Sequence, residues 1–204
     1  MSIVVLISGR GSNLQALLDA SIPVSAVFSN SAQAQGLAIA ARRGIPAFAV
    51  PHRDFASRED FERKLAAEID RYAPRLVVLA GFMRVLTAWF VQRYAGRLVN
   101  IHPSLLPCFP GLDTHARALA AGVKLHGCTV HFVTADVDHG PIVVQAAIPV
   151  RAADTAEQLA ARVLRQEHRV FPQAVKWFLE DRLVNHAGVI SVKGGDAQLV
   201  FDDS

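Results

Sequence analysis

Short apolar runs alternate with longer segments of helical spacing through the first half of this chain. The runs predict strands, and the residues between them repeat apolar positions every three or four residues, which predicts helices. Strands that alternate with helices favour parallel βαβ units in a doubly wound sheet with helices on both faces. The predicted strands are Ile3–Ser8, Val24–Phe28, Ala47–Val50, Leu76–Ala80 and Leu98–His102. The predicted helices cover residues 13–20, 34–43 and 87–94, and a further helix lies between Ser57, its predicted N-cap, and Pro74, which closes it.

The second half of the chain departs from this alternation. Cys128–Val133 and Ile142–Pro149 read as strands, and the segment between them is too short for a crossover helix, which favours an antiparallel pair. A long helix follows, with Asp154 as its predicted N-cap and Glu157 completing a capping box. We therefore predict one α/β domain over residues 1–204, with a mostly parallel sheet and a poorly ordered tail after Gly194.

Composition narrows the class of protein. Hydrophobic residues make up 51% of the chain, enough for a sheet buried on both faces, and no apolar run approaches the roughly 20 residues of a membrane span. The two cysteines fit a reducing compartment, so we expect a cytoplasmic protein. The net charge of +3 comes from scattered basic residues without a basic stripe, which argues against nucleic acid as a partner.

A glycine-rich turn follows the first predicted strand. Ser8–Asn13 reads S-G-R-G-S-N, and glycines there let the N–H groups at a helix start face an anion. The third glycine of a dinucleotide fingerprint is absent, since Leu14 stands there, and Ser29 and Asn30 stand where a ribose-binding acid is expected. The turn therefore predicts a phosphate loop without NAD, although simple capping of the helix by Ser12 and Asn13 explains the same residues.

The fifth predicted strand carries two polar side chains near its end. Asn100 and His102 project to the same side because strand side chains alternate, and Pro103 ends the pairing there. An amide stabilises a developing oxyanion and an imidazole moves protons near neutral pH, so the pair suits acyl transfer. A structural Asn–His pair that seals the strand end is the alternative.

Two other chemistries are weaker readings of the sequence. Nothing in the proline-bracketed loop around Cys108 marks that thiol as an activated nucleophile. His131, Asp136, Asp138 and His139 lie close in sequence, but the chain lacks H-E-x-x-H and Cys-x-x-Cys patterns. We therefore expect no metal.

Several colinear segments give the chain a resemblance to a known family. They read I-V-V-L-I-S-G-R-G-S-N-L-Q-A-L, V-V-L-A-G-F-M-R-V-L, A-G-R-L-V-N-I-H-P-S-L-L-P, P-G-L-D-T-H, H-G-C-T-V-H-F-V, D-V-D-H-G-P-I and R-Q-E-H, and they span residues 1 to about 180. In these segments the chain resembles the glycinamide ribonucleotide formyltransferases, folate-dependent enzymes of purine synthesis. The resemblance implies a Rossmann-like domain with about seven strands. It also implies small-molecule substrates, 10-formyltetrahydrofolate as co-substrate, and a monomer or weak homodimer.

The resemblance also implies a role for particular residues. Asn100, His102 and Asp138 match the family's catalytic trio. The positions matching the site for the phosphate and ribose of the acceptor are Gly11, Ser12, Asn13, Gln166 and Glu167. The positions that match the folate site are Arg58, Met83, Arg84, Val85, Leu86, Asn100, Thr134, Ala135, Asp136, Val137 and Asp138.

The chain departs from the family pattern at a few places. Asp113 stands where many relatives carry histidine, His139 replaces a glycine, Cys108 replaces a basic or polar residue, and the segment Ser21–Ser25 is short. Other activities remain open as alternatives: a formyltetrahydrofolate hydrolase, which uses water as acceptor, and a nucleotide-binding domain without turnover.

Overall fold

A computed structural model of the chain describes residues 2–202. The chain divides into two compact units, residues 1–100 and residues 101–204. The first unit holds β1 (Ile3–Ile7), α1 (Ser12–Asp19), β2 (Val24–Ser29), α2 (Gln35–Arg42), β3 (Ala47–Ala49), a 3₁₀ turn (His52–Asp54), α3 (Arg58–Asp70), β4 (Leu76–Leu79), α4 (Ala88–Arg93) and most of β5 (Leu98–His102).

The strands of the first unit follow the order β3-β2-β1-β4-β5, and the neighbours in this order are parallel. All five residues of β1 are buried, which explains why that run is continuously apolar. From β1 the chain first builds outward through β2 and β3 and then returns to add β4 on the other side. The carboxyl ends of β1 and β4 therefore form a topological switch point, where open α/β sheets bind ligands.

The second unit contains α5 (Thr114–Ala120), β6 (Leu125–Phe132), β7 (Ile142–Pro149), α6 (Ala156–Leu179), β8 (Leu183–His186), β9 (Val189–Val192) and β10 (Leu199–Phe201). β6 and β7 are antiparallel, and β10 runs parallel to β7 along its other edge. β8 and β9 form a separate antiparallel hairpin. The apolar face of α6 packs on β6 and β7, and this contact forms the core of the unit.

The predicted fold class is confirmed. The fold is α/β and mostly parallel, with an antiparallel part in the C-terminal half and a long C-terminal helix. Among residues 2–202, eight strands make up this arrangement: β1 to β5 in the first unit, and β6, β7 and β10 in the second, while β8 and β9 stand apart. In the segment predicted to be poorly ordered, the structure places β10, and residues 203 and 204 lie outside the described residues. Within residues 2–202, no helix combines the length and the apolar character that a membrane crossing requires.

The predicted N-cap of the long helix was wrong by one residue. The hydroxyl of Thr155 accepts the Gln158 N–H, and the Gln158 side chain accepts the Thr155 N–H at 2.9 Å, which closes the capping box. Asp154 instead accepts from the Arg151 N–H and from the guanidinium of Arg162 at 2.6 Å. A buried ion pair therefore occupies the carboxylate that the sequence assigned to capping.

Candidate active site

β5 presents Asn100 and His102 from alternate positions on one side of the strand. Asn100 is half-buried at the end of the register with β4, opposite Leu79, and His102 is only 5% exposed. The other residues of the strand are buried on either side of Asn100. The amide and the imidazole therefore come from the carboxyl end of a strand, as the sequence predicted.

His102 has an acceptor at each ring nitrogen. Its Nε2 lies 3.0 Å from the carbonyl oxygen of Phe109, and its Nδ1 lies 3.4 Å from Oδ2 of Asp138. Both side chains of the His102–Asp138 contact are largely buried, at 6% and 11% exposed. The Phe109 carbonyl and the Asp138 carboxylate therefore fix the orientation of the His102 ring between them.

Asp138 is held in place from a second direction. It adopts a left-handed backbone conformation, with φ of 58°, and its Oδ2 accepts the Gly111 N–H at 2.9 Å. The same oxygen thus joins the loop after β6 to the loop before α5. His139, the departure next to it, is exposed and hydrogen-bonds through Nδ1 to the Val137 carbonyl at 2.6 Å. The His139 side chain therefore contacts its own loop.

Three further histidines lie in the second unit near this pair. Nε2 of His131 is 3.8 Å from Oδ1 of Asp138, and burial lowers the pKa of His131. Nε2 of His126 is 3.2 Å from Nδ1 of His115. Burial, followed by the neighbouring His115 and His102, lowers the pKa of His126 to about 4. Among residues 2–202, no three histidine, cysteine or acidic side chains are placed to share a metal ion.

The loop after β5 is anchored by buried polar side chains. Ser104 donates to the Cys108 carbonyl at 2.6 Å, and Thr129 donates to the Ser104 carbonyl at 2.7 Å. Ser104 and Thr129 are fully buried, so these bonds form away from water. They hold the segment that brings the Phe109 carbonyl to His102. The sequence analysis did not predict these contacts. The position of Ser104, two residues after His102, is the feature of the sequence that could have indicated them.

The glycine loop of the first unit is fixed by a close backbone contact. Gly11 has φ of +80°, and a Cβ on it would meet the Gly36 Cα at 2.6 Å. The Gly36 N–H donates to the Gly9 carbonyl at 3.1 Å, so the start of α2 supports the loop. Gly11 precedes α1, whose first turn carries no acidic residue. Ser12 and Asn13 then begin the helix, and the positive end of the helix dipole suits an anion.

The segment after β4 lies in the same unit as the glycine loop. Met83 and Val85 are 64% and 54% exposed, although both are apolar, and Phe82 before them is buried. The Met83 N–H donates to the hydroxyl of Ser8, at the base of the glycine loop, at 2.7 Å. The structure thus brings together two segments that the sequence assigned to different ligands. Arg58 begins α3 and is exposed.

The remaining predicted binding residues lie in the second unit. Gln166 and Glu167 are buried on α6, and the Gln166 amide donates to the carboxylate of Asp202. The amide of Gln166 is therefore engaged by the chain itself. In the loop 134–138, Thr134 donates to the Asp136 carbonyl at 3.2 Å and the side chain of Val137 is 49% exposed.

Comparison with known proteins gives consistent matches. A family model described as formyl transferase matches residues 1–175. Phosphoribosylglycinamide formyltransferase of Escherichia coli K12 is 51% identical over 200 residues, covering 95% of this chain and 94% of that protein. The structure of phosphoribosylglycinamide formyltransferase from Coxiella burnetii superposes with a TM-score of 0.91 at 49% identity, covering 95% of this chain and 94% of that one.

A protein with a different activity also matches this fold, at lower identity. The structure of a formyltetrahydrofolate deformylase from Pseudomonas putida KT2440 has a TM-score of 0.84 at 30% identity, covering 94% of this chain and 69% of that one. The higher identities and the matched lengths both favour the transferases. The chain belongs to the formyl transferase family, among the phosphoribosylglycinamide formyltransferases.

Proposed function

We propose that this protein transfers the formyl group of 10-formyltetrahydrofolate to the amine of N1-(5-phospho-D-ribosyl)glycinamide, a step of purine synthesis. The observation that carries the proposal is the 51% identity over 95% of the chain to an enzyme named for this activity. The contact between His102 and Asp138 supports it, because a carboxylate beside the imidazole at the end of β5 suits a residue that moves a proton.

Asn100 serves as the oxyanion donor in this proposal. The acceptor amine attacks the formyl carbon, a new C–N bond forms, and the carbonyl oxygen becomes negative in a tetrahedral intermediate. The Asn100 amide donates a hydrogen bond to that oxygen. One donor of this kind is typically worth about 2.7–4 kcal/mol of transition-state stabilisation.

His102 moves the proton in this proposal. The bond between the formyl carbon and N10 breaks, N10 takes a proton from His102, and the attacking amine returns one to the imidazole. Asp138 and the Phe109 carbonyl orient the ring, since each faces one of its nitrogens. Two bound substrates then react without a covalent enzyme intermediate.

The binding segments take the roles that family membership suggests. The N–H groups of Gly11, Ser12 and Asn13 bind the acceptor's phosphate and ribose, with Gln166 and Glu167 as further acceptor contacts. The folate contacts are Arg58, Met83–Leu86, Asn100 and Thr134–Asp138. The exposed apolar side chains of Met83 and Val85 support this role, because a flat pterin ring needs an apolar surface.

Substitution of the two β5 residues tests the proposal. We expect Asn100→Ala to lower kcat by about 10²–10³-fold and His102→Ala by about 10²–10⁴-fold, while folate binding followed by fluorescence stays close to wild type. His186→Ala, at an exposed histidine of β8, is the control and should keep the wild-type kcat. Near-wild-type kcat in either β5 variant would overturn the assignment.

Two assays separate the proposal from its alternatives. Formate release without the acceptor amine would indicate a hydrolase, and ligand binding with no transfer would indicate a binding domain.

We also propose that the protein acts in the cytoplasm as a monomer or weak homodimer. Sedimentation at several protein concentrations tests the oligomeric state.

A further inference from the structure

A set of polar contacts joins four loops at the carboxyl ends of β1, β2, β3 and β4, inside the first unit. Its members are the side chains of Ser8, Asn30 and His52 and the backbone N–H of Met83. We refer to these four groups as the Ser8–Asn30 clamp. Ser8 is the first residue of the turn predicted to bind phosphate, but none of the three side chains belongs to the catalytic trio or to the residues predicted to contact a substrate.

Ser8 uses both hydrogen-bonding capacities of its hydroxyl. It donates to Oδ1 of Asn30 at 2.5 Å and accepts the Met83 N–H at 2.7 Å. Its own N–H donates to the Gly81 carbonyl at 3.2 Å. Ser8 is thus tied twice to the segment after β4, and the next residue in the chain begins the glycine loop.

Asn30 fixes the orientation of that hydroxyl. Asn30 is 7% exposed, and its Oδ1 takes the Ser8 proton. Nδ1 of His52 lies 3.2 Å from the Asn30 Nδ2 and 3.1 Å from the Asn30 backbone carbonyl oxygen, so His52 contacts Asn30 whichever ring nitrogen carries the proton. The Val50 N–H donates to the Ser29 carbonyl at 2.8 Å in the same region. A buried, mostly satisfied polar network of this kind specifies one arrangement, because each lost partner leaves a polar group unpaired.

We infer that Ser8 and Asn30 are positioning residues that set the spacing between the glycine loop and the segment Met83–Leu86. The inference rests on the proposed function, in which these two segments bind the acceptor and the folate. A change in the clamp displaces both segments together. It therefore raises KM for both substrates and leaves the chemistry of Asn100 and His102 intact.

The first test reads the clamp without any substrate. Hydrogen exchange of the Met83 amide is measured in wild type, Ser8→Ala and Ser25→Ala. Ser25 is the matched control, because its hydroxyl also makes a partly buried bond, to the Ile3 carbonyl at 3.0 Å, at the opposite end of β2. We expect exchange at Met83 to be about 2- to 10-fold faster in Ser8→Ala and unchanged in Ser25→Ala. Unchanged exchange in Ser8→Ala would overturn the inference.

The second test is kinetic and uses a double-mutant cycle. Ser8→Ala and Asn30→Ala should each raise KM for both substrates by about 2- to 10-fold at nearly constant kcat. The KM values of the double variant should be no higher than those of the more affected single variant, because both substitutions break the same hydrogen-bond network. The inference would be overturned if the two increases in KM multiplied in the double variant, or if kcat fell at unchanged KM.

The two tests separate this inference from the proposed function. If the wild-type protein transfers formyl and Ser8→Ala keeps both wild-type KM values, the inference about the Ser8–Asn30 clamp is wrong, whereas the proposed function is supported. If the wild-type protein transfers none, the proposed function fails, and amide exchange at Met83 still decides whether Ser8 holds the segment. If Ser8→Ala does not fold, Asn30→Ala carries the same exchange measurement, because it frees the Ser8 hydroxyl to rotate away from Met83.

Discussion

His126 should make the folded chain sensitive to acid. Its side chain is 1% exposed, and its pKa falls to about 4 chiefly through burial, from an ordinary value of 6.5. The unfolded chain takes up this proton near the ordinary value and the folded chain does not. Between these two pH values the unfolded state binds more protons, so the free energy of unfolding falls as the pH falls.

The size of the effect follows from the two pKa values. Linkage gives a loss of about 2 kcal/mol between pH 7 and pH 5 from this residue alone, and about 3 kcal/mol at pH 4. Burial also lowers the pKa values of His115, His131 and His168, so they add to the slope in the same direction. Comparison with a variant that lacks His126 isolates its share.

Urea unfolding at a series of pH values measures this share. We expect His126→Gln to lose about 2 kcal/mol less than wild type between pH 7 and pH 5, whatever its stability at pH 7. His186→Gln, at an exposed position, should follow the wild-type curve. If the curve of His126→Gln runs parallel to that of wild type, the argument from burial is refuted.

Three further changes have definite expected outcomes. Gly36→Ala places a Cβ 2.5 Å from Ile7 Cδ1 and 3.1 Å from the Gly11 Cα, so we expect a KM for the acceptor raised several-fold with little change for folate, measured by steady-state kinetics. Thr155→Ala removes the α6 cap and should lower the free energy of unfolding by about 1 kcal/mol at unchanged kcat, measured in urea. Arg162→Ala leaves the Asp154 carboxylate buried without its cation, although the Arg151 N–H still donates to it, and should cost about 3–5 kcal/mol, seen as a large fall in Tm. A fall as small as that of Thr155→Ala would contradict the burial argument.

The order of strands and helices in the first unit was predictable because its signals are local. The central strands β1 and β4 are continuous apolar runs, and Ser57 and Thr87 cap α3 and α4 with side chains visible in the sequence. Where local signals weaken, prediction failed. α5 has seven residues and no side-chain cap bond, and β8 and β9 have four residues each, so none of the three reached a recognisable pattern.

In the candidate site, the side chains were predicted and the backbone contacts were not. Alternation along β5 predicted that Asn100 and His102 share a side, and family resemblance supplied Asp138. The contacts of the Phe109 carbonyl and the Gly111 N–H with these side chains were beyond prediction. Every residue except proline carries the same backbone N–H and C=O, so the residue type does not show which of these groups a loop brings to a site.

The pairing of β10 with β7 has a consequence for synthesis of the chain. β7 ends at Pro149, and the strand that covers its free edge begins at Leu199, 50 residues later. At the usual speed of translation, the ribosome needs about 3–10 s to make those residues. During that interval β7 offers a row of unpaired N–H and C=O groups to any extended segment nearby. We therefore expect a nascent chain halted between these strands to aggregate more readily than one halted after Phe201.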